Sequence, residues 1–241
     1  MEGNARGDGL RTRHRPWRNA LVALLAALAA LAVGPIAEAH PHVSIKVRTL
    51  LLVQGGALTG LHHIWVMDQG WLASQLEQHD KDGDGKLSAE ELVELTAESK
   101  ATLEMFKAFT TIRHGGIRIR PGVPQSLSIE YFADRLGLSF VVPLPKPIPL
   151  AGAELLLEVY DATYFSGFAF DGERAVDVAG TGEEGCRVAL APASPQQLAA
   201  YRLVKAQMGI EFTDPGPPKA MSVSCDKVGF SSRDHVPVSV R

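Results

Sequence analysis

Cysteine is scarce in this chain. Its 241 residues carry two, Cys186 and Cys225, too few for a disulfide-knit miniprotein and spaced for neither a C-x-x-C redox pair nor a zinc ribbon. Aromatic residues make up only 7%, and the longest apolar run is the 14 residues from Ala20 to Val33. A membrane-spanning helix needs roughly 17 to 25. Basic charge is missing too: 24 Lys and Arg stand against 27 Asp and Glu, for a net charge of -3. Five arginines and three acids lie in the first 39 residues, so the remainder has 19 against 24, a balance of -5. That composition argues against nucleic acid as a partner. There is no G-x-S-x-G, no H-E-x-x-H, no phosphate-binding glycine loop and no context for a cysteine nucleophile. What is present, 46% hydrophobic and 21% charged residues, suffices to bury a core and is too apolar for disorder.

The N-terminus has the anatomy of a secretory signal over residues 1–39. Arg11 to Arg18 is a basic segment, Ala20 to Val33 the apolar run, and Pro35 followed by Ala37-Glu38-Ala39 a helix breaker and an A-x-A site. Cleavage between Ala39 and His40 would deliver the mature chain to a bacterial periplasm, with no membrane-spanning segment of its own. In such an oxidising compartment, Cys186 and Cys225 are expected to form one disulfide.

The rest reads as a single β-rich domain over residues 40–230 and a tail over 231–241. Val43, Ile45 and Val47 alternate with polar residues, and Gly55-Gly56 supplies the turn of a hairpin that returns through Leu58 to Met67. Helices are expected from Trp71 to His79 and from Ala89 to about Phe109. Short β-prone runs follow at 110–119, 127–132, 136–144, 154–160 and 165–170. Ser194 to Met208 is a last helix, with Pro195 at its first position, and 221–228 a last strand. The expected class is α+β: an antiparallel sandwich or barrel-like body with an inserted helix-loop-helix, a single EF-hand at about 70–109, and one C-terminal helix.

Asp80-Lys81-Asp82-Gly83-Asp84-Gly85-Lys86-Leu87-Ser88-Ala89-Glu90-Glu91 fits a twelve-residue calcium loop. Asp80, Asp82 and Asp84 occupy positions 1, 3 and 5. Gly85 takes the turn at 6, Lys86 offers its carbonyl at 7, Ser88 stands at 9 and Glu91 supplies the bidentate carboxylate at 12. The sequence holds no second such loop, so Leu87, which would reach a partner loop in a paired arrangement, must dock on the body or on a second copy. A lone loop suggests a fixed stabilising Ca2+ site rather than a switch, since no Met-rich face accompanies it.

Cleavage as read above would start the mature chain at His40-Pro41-His42. Proline has no amide N-H, so the square-planar chelate that a third-position histidine usually permits is blocked. A bite by the terminal amine and the His40 ring remains, completed by His42, with Asp68 as co-ligand at the end of the hairpin; a nitrogen-rich site of this kind suits Zn, Ni or Cu. With a simple two-residue turn, paired residues sum to 111, which sets His62 opposite Thr49, His63 opposite Arg48 and Asp68 opposite Val43. His62 and His63 then face opposite ways, far along the ladder. His79, His114 and His235 have no readable role. The aromatic run Tyr160, Tyr164, Phe165, Phe168 and Phe170 reads as sandwich core, with a pocket wall as the alternative.

These features together resemble the bacterial family catalogued as domain of unknown function 1007. The likeness rests on His40-Pro41-His42-Val43, on His63-Ile64-Trp65 with Asp68, on the Asp80 to Glu91 loop, on Glu158-Val159-Tyr160-Asp161 with Tyr164-Phe165, and on Cys186 with Cys225. It implies export and association with an inner-membrane metal-ion permease. The expected function is a non-enzymatic periplasmic calcium-binding protein that serves as an accessory metal-binding component of a Zn, Ni or Cu transport system. The alternatives are a histidine-brace copper oxidase or monooxygenase, and a calcium-stabilised interaction module.

Overall fold

The computed structural model describes residues 42–172, 174–182, 185–208 and 216–225. The expected signal segment, His40, Pro41, His235 and the expected tail lie outside the described residues. Two sheets share one apolar core. Strands β1 (Val43–Gln54) and β2 (Ala57–Met67) form the expected hairpin, and helices α1 (Gln69–His79) and α2 (Ala89–Met105) follow. Then come β3 (Thr110–His114), β4 (Ile117–Ile119), β5 (Gln125–Phe132), β6 (Arg135–Pro149), β7 (Leu155–Val159), β8 (Ser166–Phe170), β9 (Val176–Gly180), β10 (Cys186–Pro192), α3 (Pro195–Met208) and β11 (Lys219–Cys225). No helix among the described residues is long and apolar enough to cross a membrane.

The structure corrects the expected fold class in two respects. The body is not an antiparallel sandwich or barrel. One sheet runs β5-β6-β2-β1-β8, with β9 also on β1, and both β8 and β9 pair with β1 in parallel. Val43 to Val47 take β8 and Thr49 to Val53 take β9, so one edge of β1 is filled by two short strands in succession. The other sheet, β10-β11-β7-β3-β4, is antiparallel throughout. Nor is the segment between β2 and β3 an EF-hand module inserted into that body. It is a helix-loop-helix fused to the common core: Leu87, Leu95 and Leu103 are buried in the same apolar cluster as Leu51, Trp65, Phe140 and Leu157.

Local chemistry accounts for the places where the chain departs from expectation. The hairpin register sums to 111 only next to the turn. Leu52 pairs with Gly60 and Val53 with Leu58, which leaves Thr59 as a bulge, its hydroxyl donating to Leu52 O at 3.0 Å. Beyond the bulge the sum is 112, so Thr49 faces His63 and Leu50 faces His62. A slip of one residue changes every cross-strand partner. Strand β6 runs past Leu144 through Pro145, Pro147 and Pro149; β5 ends its pairing at Val141, so these prolines lie along an edge with no partner awaiting an N-H. Strands β9 and β10 carry few buried residues and little alternation to announce them. Gly180 ends β9 at φ +137°, where an added Cβ would lie 1.7 Å from Val53 O.

The second helix stops at Met105, short of Phe109, and the chain then passes through Lys107, Ala108 and Phe109, all with φ near +50°. Consecutive left-handed non-glycine residues are costly. Here they are held by a buried Ala108, by Phe109 stacked on Phe106 at 5.0 Å, and by the donation of Tyr160 N to Phe109 O at 2.9 Å.

Candidate functional site

Helix-capping chemistry sets both ends of the acidic loop. Helix α1 closes at Asp80, whose N-H reaches Leu76 O at 3.1 Å. Helix α2 opens with a capping box: Glu91 N donates to Ser88 Oγ, and Ser88 N donates to Glu91 Oε2 at 2.8 Å. Between them the carboxylates fold the loop around themselves. Asp80 accepts from Gly83 N at 2.8 Å and Gly85 N at 2.9 Å, Asp82 from Asp84 N at 3.1 Å, and Asp84 from Lys86 N at 2.8 Å. Gly85, at φ +84°, takes the left-handed turn that a side chain would oppose. One oxygen from each of Asp80, Asp82 and Asp84 lies within 4.8 Å of the others.

Glu91 is buried and turned toward the start of the loop, accepting from Lys81 N at 2.6 Å. The N-H groups of Ser88 and Lys81, with the Ser88 hydroxyl, hold its pKa below the ordinary carboxylate value. Asp82 moves the other way. The N-H of Asp84 lowers its pKa, but the charges of Asp84 and Glu91, desolvation and the Asp80 carboxyl outweigh that bond and leave it raised. The loop therefore gathers negative charge that its own hydrogen bonds do not neutralise, and hard carboxylate oxygens in such a cluster are the donor set of a calcium ion. Lys86 is exposed, and the Ser88 side chain is committed to the capping box.

The lone loop docks on the body. Leu87 is buried, and its N-H donates to the Tyr131 hydroxyl of β5 at 2.8 Å, so a side chain takes the place of the strand contact that a second loop would provide. Lys81 Nζ also pairs with Glu94 of α2 at 2.9 Å.

Asp68 does not face Val43. It caps α1, accepting from Trp71 N at 2.8 Å on one oxygen and from Ser44 N at 2.5 Å on the other. Both carboxylate oxygens are thus engaged with backbone N-H groups. His42 is exposed, with its ring 4.8 Å from that of Phe165. His62 lies on the outer side of the sheet, 2.8 Å from Ser139 Oγ. His79 is buried against Glu98 and Glu94, at 3.6 and 4.0 Å.

His63 has a role that sequence reasoning missed. It is fully buried, with Nδ1 2.8 Å from Thr49 Oγ1 and Nε2 3.2 Å from Thr110 Oγ1, and it spans the two sheets. The Thr110 hydroxyl gives its proton to Ala108 O at 2.7 Å, so toward the ring it is an acceptor. That fixes the tautomer: Nε2 carries hydrogen, and Nδ1 accepts from Thr49. Burial, reinforced by His62, depresses the ring's pKa from 6.5 to about 3. Only the bulge at Thr59 brings Thr49 opposite this residue.

Cys186 and Cys225 are joined in a disulfide, directly opposite each other in the β10–β11 pair. Glu158 is fully buried on β7, accepting from Ser194 N at 2.6 Å ahead of α3, with Arg113 Nε 3.9 Å from its other oxygen. Tyr160, Tyr164, Phe168 and Phe170 are not purely core; they line a cavity of about 430 Å³.

A family profile described as "Protein of unknown function (DUF1007)" matches residues 24–221. An "Uncharacterized protein" of Haemophilus influenzae (strain ATCC 51907 / DSM 11121 / KW20 / Rd) is 23% identical over 163 residues, which cover 68% of this chain and 78% of that protein. No solved structure matches.

Proposed function

The chain belongs to the DUF1007 family of proteins of unknown function, and from that premise we propose that it is an exported, periplasmic protein whose acidic loop binds one calcium ion. The observation that carries this reading is the convergence of Asp80, Asp82 and Asp84 within 4.8 Å, with Glu91 turned over the start of the loop. Like charges raise the Asp82 pKa, and a bound cation would relieve that repulsion. The docking of Leu87 on Tyr131 favours a fixed site that fastens the helices to the sheet. A disulfide suits an oxidising compartment. Calcium at 100 times its dissociation constant should stabilise the native state by about 2.7 kcal/mol, read as a rise in melting temperature that a chelator reverses. Asp82→Asn keeps an acceptor for Asp84 N and removes a charge, so it should leave the calcium-free melt unchanged or slightly higher while abolishing most of the shift. Superimposable wild-type melts with calcium and with chelator would sink the reading. Because the ligands must be ionised, the shift should shrink as the pH falls into the carboxylate range.

The same reading makes the protein an accessory component of a Zn, Ni or Cu transport system, acting beside an inner-membrane permease without catalysing a reaction. Its support is the sequence His40-Pro41-His42 after the cleavage site and the exposed position of His42 at the head of β1. A protein carrying one extra residue before His40 loses the amine-imidazole bite and should bind these metals far more weakly by calorimetry, with its calcium response intact. Equal affinity for the authentic and extended termini counts against the N-terminal site alone.

A further inference from the structure

The sheet touches the donor set of the acidic loop through one peptide unit. Leu87 N donates to the Tyr131 hydroxyl at 2.8 Å, and the carbonyl bonded to that nitrogen belongs to Lys86, the residue whose carbonyl stands at the seventh position of a calcium loop. A peptide unit is planar and trans, so its N-H and C=O point in opposite directions. With the N-H held on Tyr131, the Lys86 carbonyl is turned away from that hydroxyl and cannot swing freely about the chain. A hydrogen bond at the N-H also polarises the unit and leaves more negative charge on its oxygen.

The same peptide is fixed from its other side. Leu87 is buried in the common core. Ile129, two residues before Tyr131 and on the same face of β5, is buried as well, whereas Tyr131 is 38% exposed, so its ring stands where the core meets solvent. A second tether joins the helices to this hairpin at a residue outside the loop: Gln69 Nε2, at the start of α1, donates at 2.5 Å to Asp134 Oδ2 in the turn between β5 and β6. The two tethers differ in kind, because only the one through Leu87 shares a peptide with a candidate calcium ligand.

We propose that Tyr131 is a positioning residue of the calcium site: through the Leu87 N-H it aims and polarises the Lys86 carbonyl, which is thereby preorganised for the ion. The proposal rests on the calcium reading above and adds to it a residue 44 positions away from Leu87 in sequence. Ordering that peptide is a cost met in folding rather than in binding, and affinity gains by the difference. The coupling runs both ways. A cation drawing on the carbonyl makes the N-H a better donor, so calcium should strengthen the bond to Tyr131 as that bond strengthens the site.

Calcium affinities measured by competition with a chromophoric chelator separate positioning from mere docking. Tyr131→Phe keeps the ring and removes the acceptor, and it should bind calcium about three- to tenfold more weakly than wild type, the range that one hydrogen bond supplies. Gln69→Ala cuts the tether outside the loop; it should melt lower than wild type and keep a calcium affinity within about twofold of it. In the wild-type protein, with no variant involved, calcium should move the NMR resonance of the Tyr131 ζ-carbon, and a chelator should return it. Equal affinities of wild type and Tyr131→Phe, an equal loss in Gln69→Ala, or a Tyr131 resonance unmoved while calcium binds would each overturn the proposal and leave the calcium reading standing. A wild-type protein that binds no calcium overturns both.

Discussion

Acidification from pH 6.5 toward 3 is expected to cost the fold about 1.4 kcal/mol per pH unit through His63 alone. The direction follows from where the proton binds. Unfolded, the ring titrates at its ordinary 6.5; folded, it stays neutral down to about 3. Between those values the unfolded chain binds one more proton than the native one, so stability rises with pH. This contribution is complete above 6.5 and is lost progressively as the pH falls to the folded value. The hydrogen bonds give the same direction: Thr110 is committed to Ala108 O and accepts from Nε2, and Nδ1 already accepts from Thr49, so a second ring proton finds no acceptor prepared for it. Denaturant unfolding of wild type and His63→Gln at several pH values isolates the effect from the titrating carboxylates. The variant should be less stable at pH 7, because it loses the inter-sheet bonds, and the two curves should converge on acidification. Parallel curves would show that His63 does not hold its neutral form.

Removal of the Cys186–Cys225 bond is the second large effect. The two residues are 39 apart in sequence, and in the chain-entropy model closing a loop of that length stabilises by about 4 kcal/mol, or roughly 10 °C in melting temperature for a domain of this size. The loss should be felt first in β10, which among the described strands pairs with β11 alone and buries little of its own surface. Hydrogen exchange of the Cys186→Ser/Cys225→Ser protein should therefore show β10 amides exchanging faster while those of β2 and β6 keep their relative protection. Thiol labelling should find both cysteines unreactive in the denatured protein until a reductant is added. Free thiols in the oxidised, denatured chain would refute the pairing.

The acidic loop was legible because its chemistry is local. Three carboxylates, a turn glycine and a capping box are specified within twelve residues, and no distant partner is needed to bring Asp80, Asp82 and Asp84 together. The hairpin and all three helices were legible for the same reason, with ends displaced by a few residues. What sequence could not supply was pairing between distant segments. Nothing in Val176–Gly180 announces that it will lie parallel to Thr49–Val53, since parallel strands share no turn to mark them. The bulge at Thr59 is invisible in composition, yet it alone changes the partner of His63 from Arg48 to Thr49. Asp68 read as a co-ligand because a register summing to 111 set it opposite Val43; the structure shows its carboxylate at the N-cap of α1, a position that an acid serves well.

The parallel edge of β1 also sets an order of events in time. Its second neighbour, β2, is available within a few residues of the turn, but β8 and β9 lie more than a hundred residues downstream. Contacts of such separation form late, after the cost of closing a long loop has been met. A chain emerging from the ribosome therefore presents β1 with an open edge until residue 180 has been made, and its first sheet cannot be completed during most of its synthesis. A chain truncated before β9 should therefore keep that edge open and pair with other chains, read as aggregation that the full-length protein does not show.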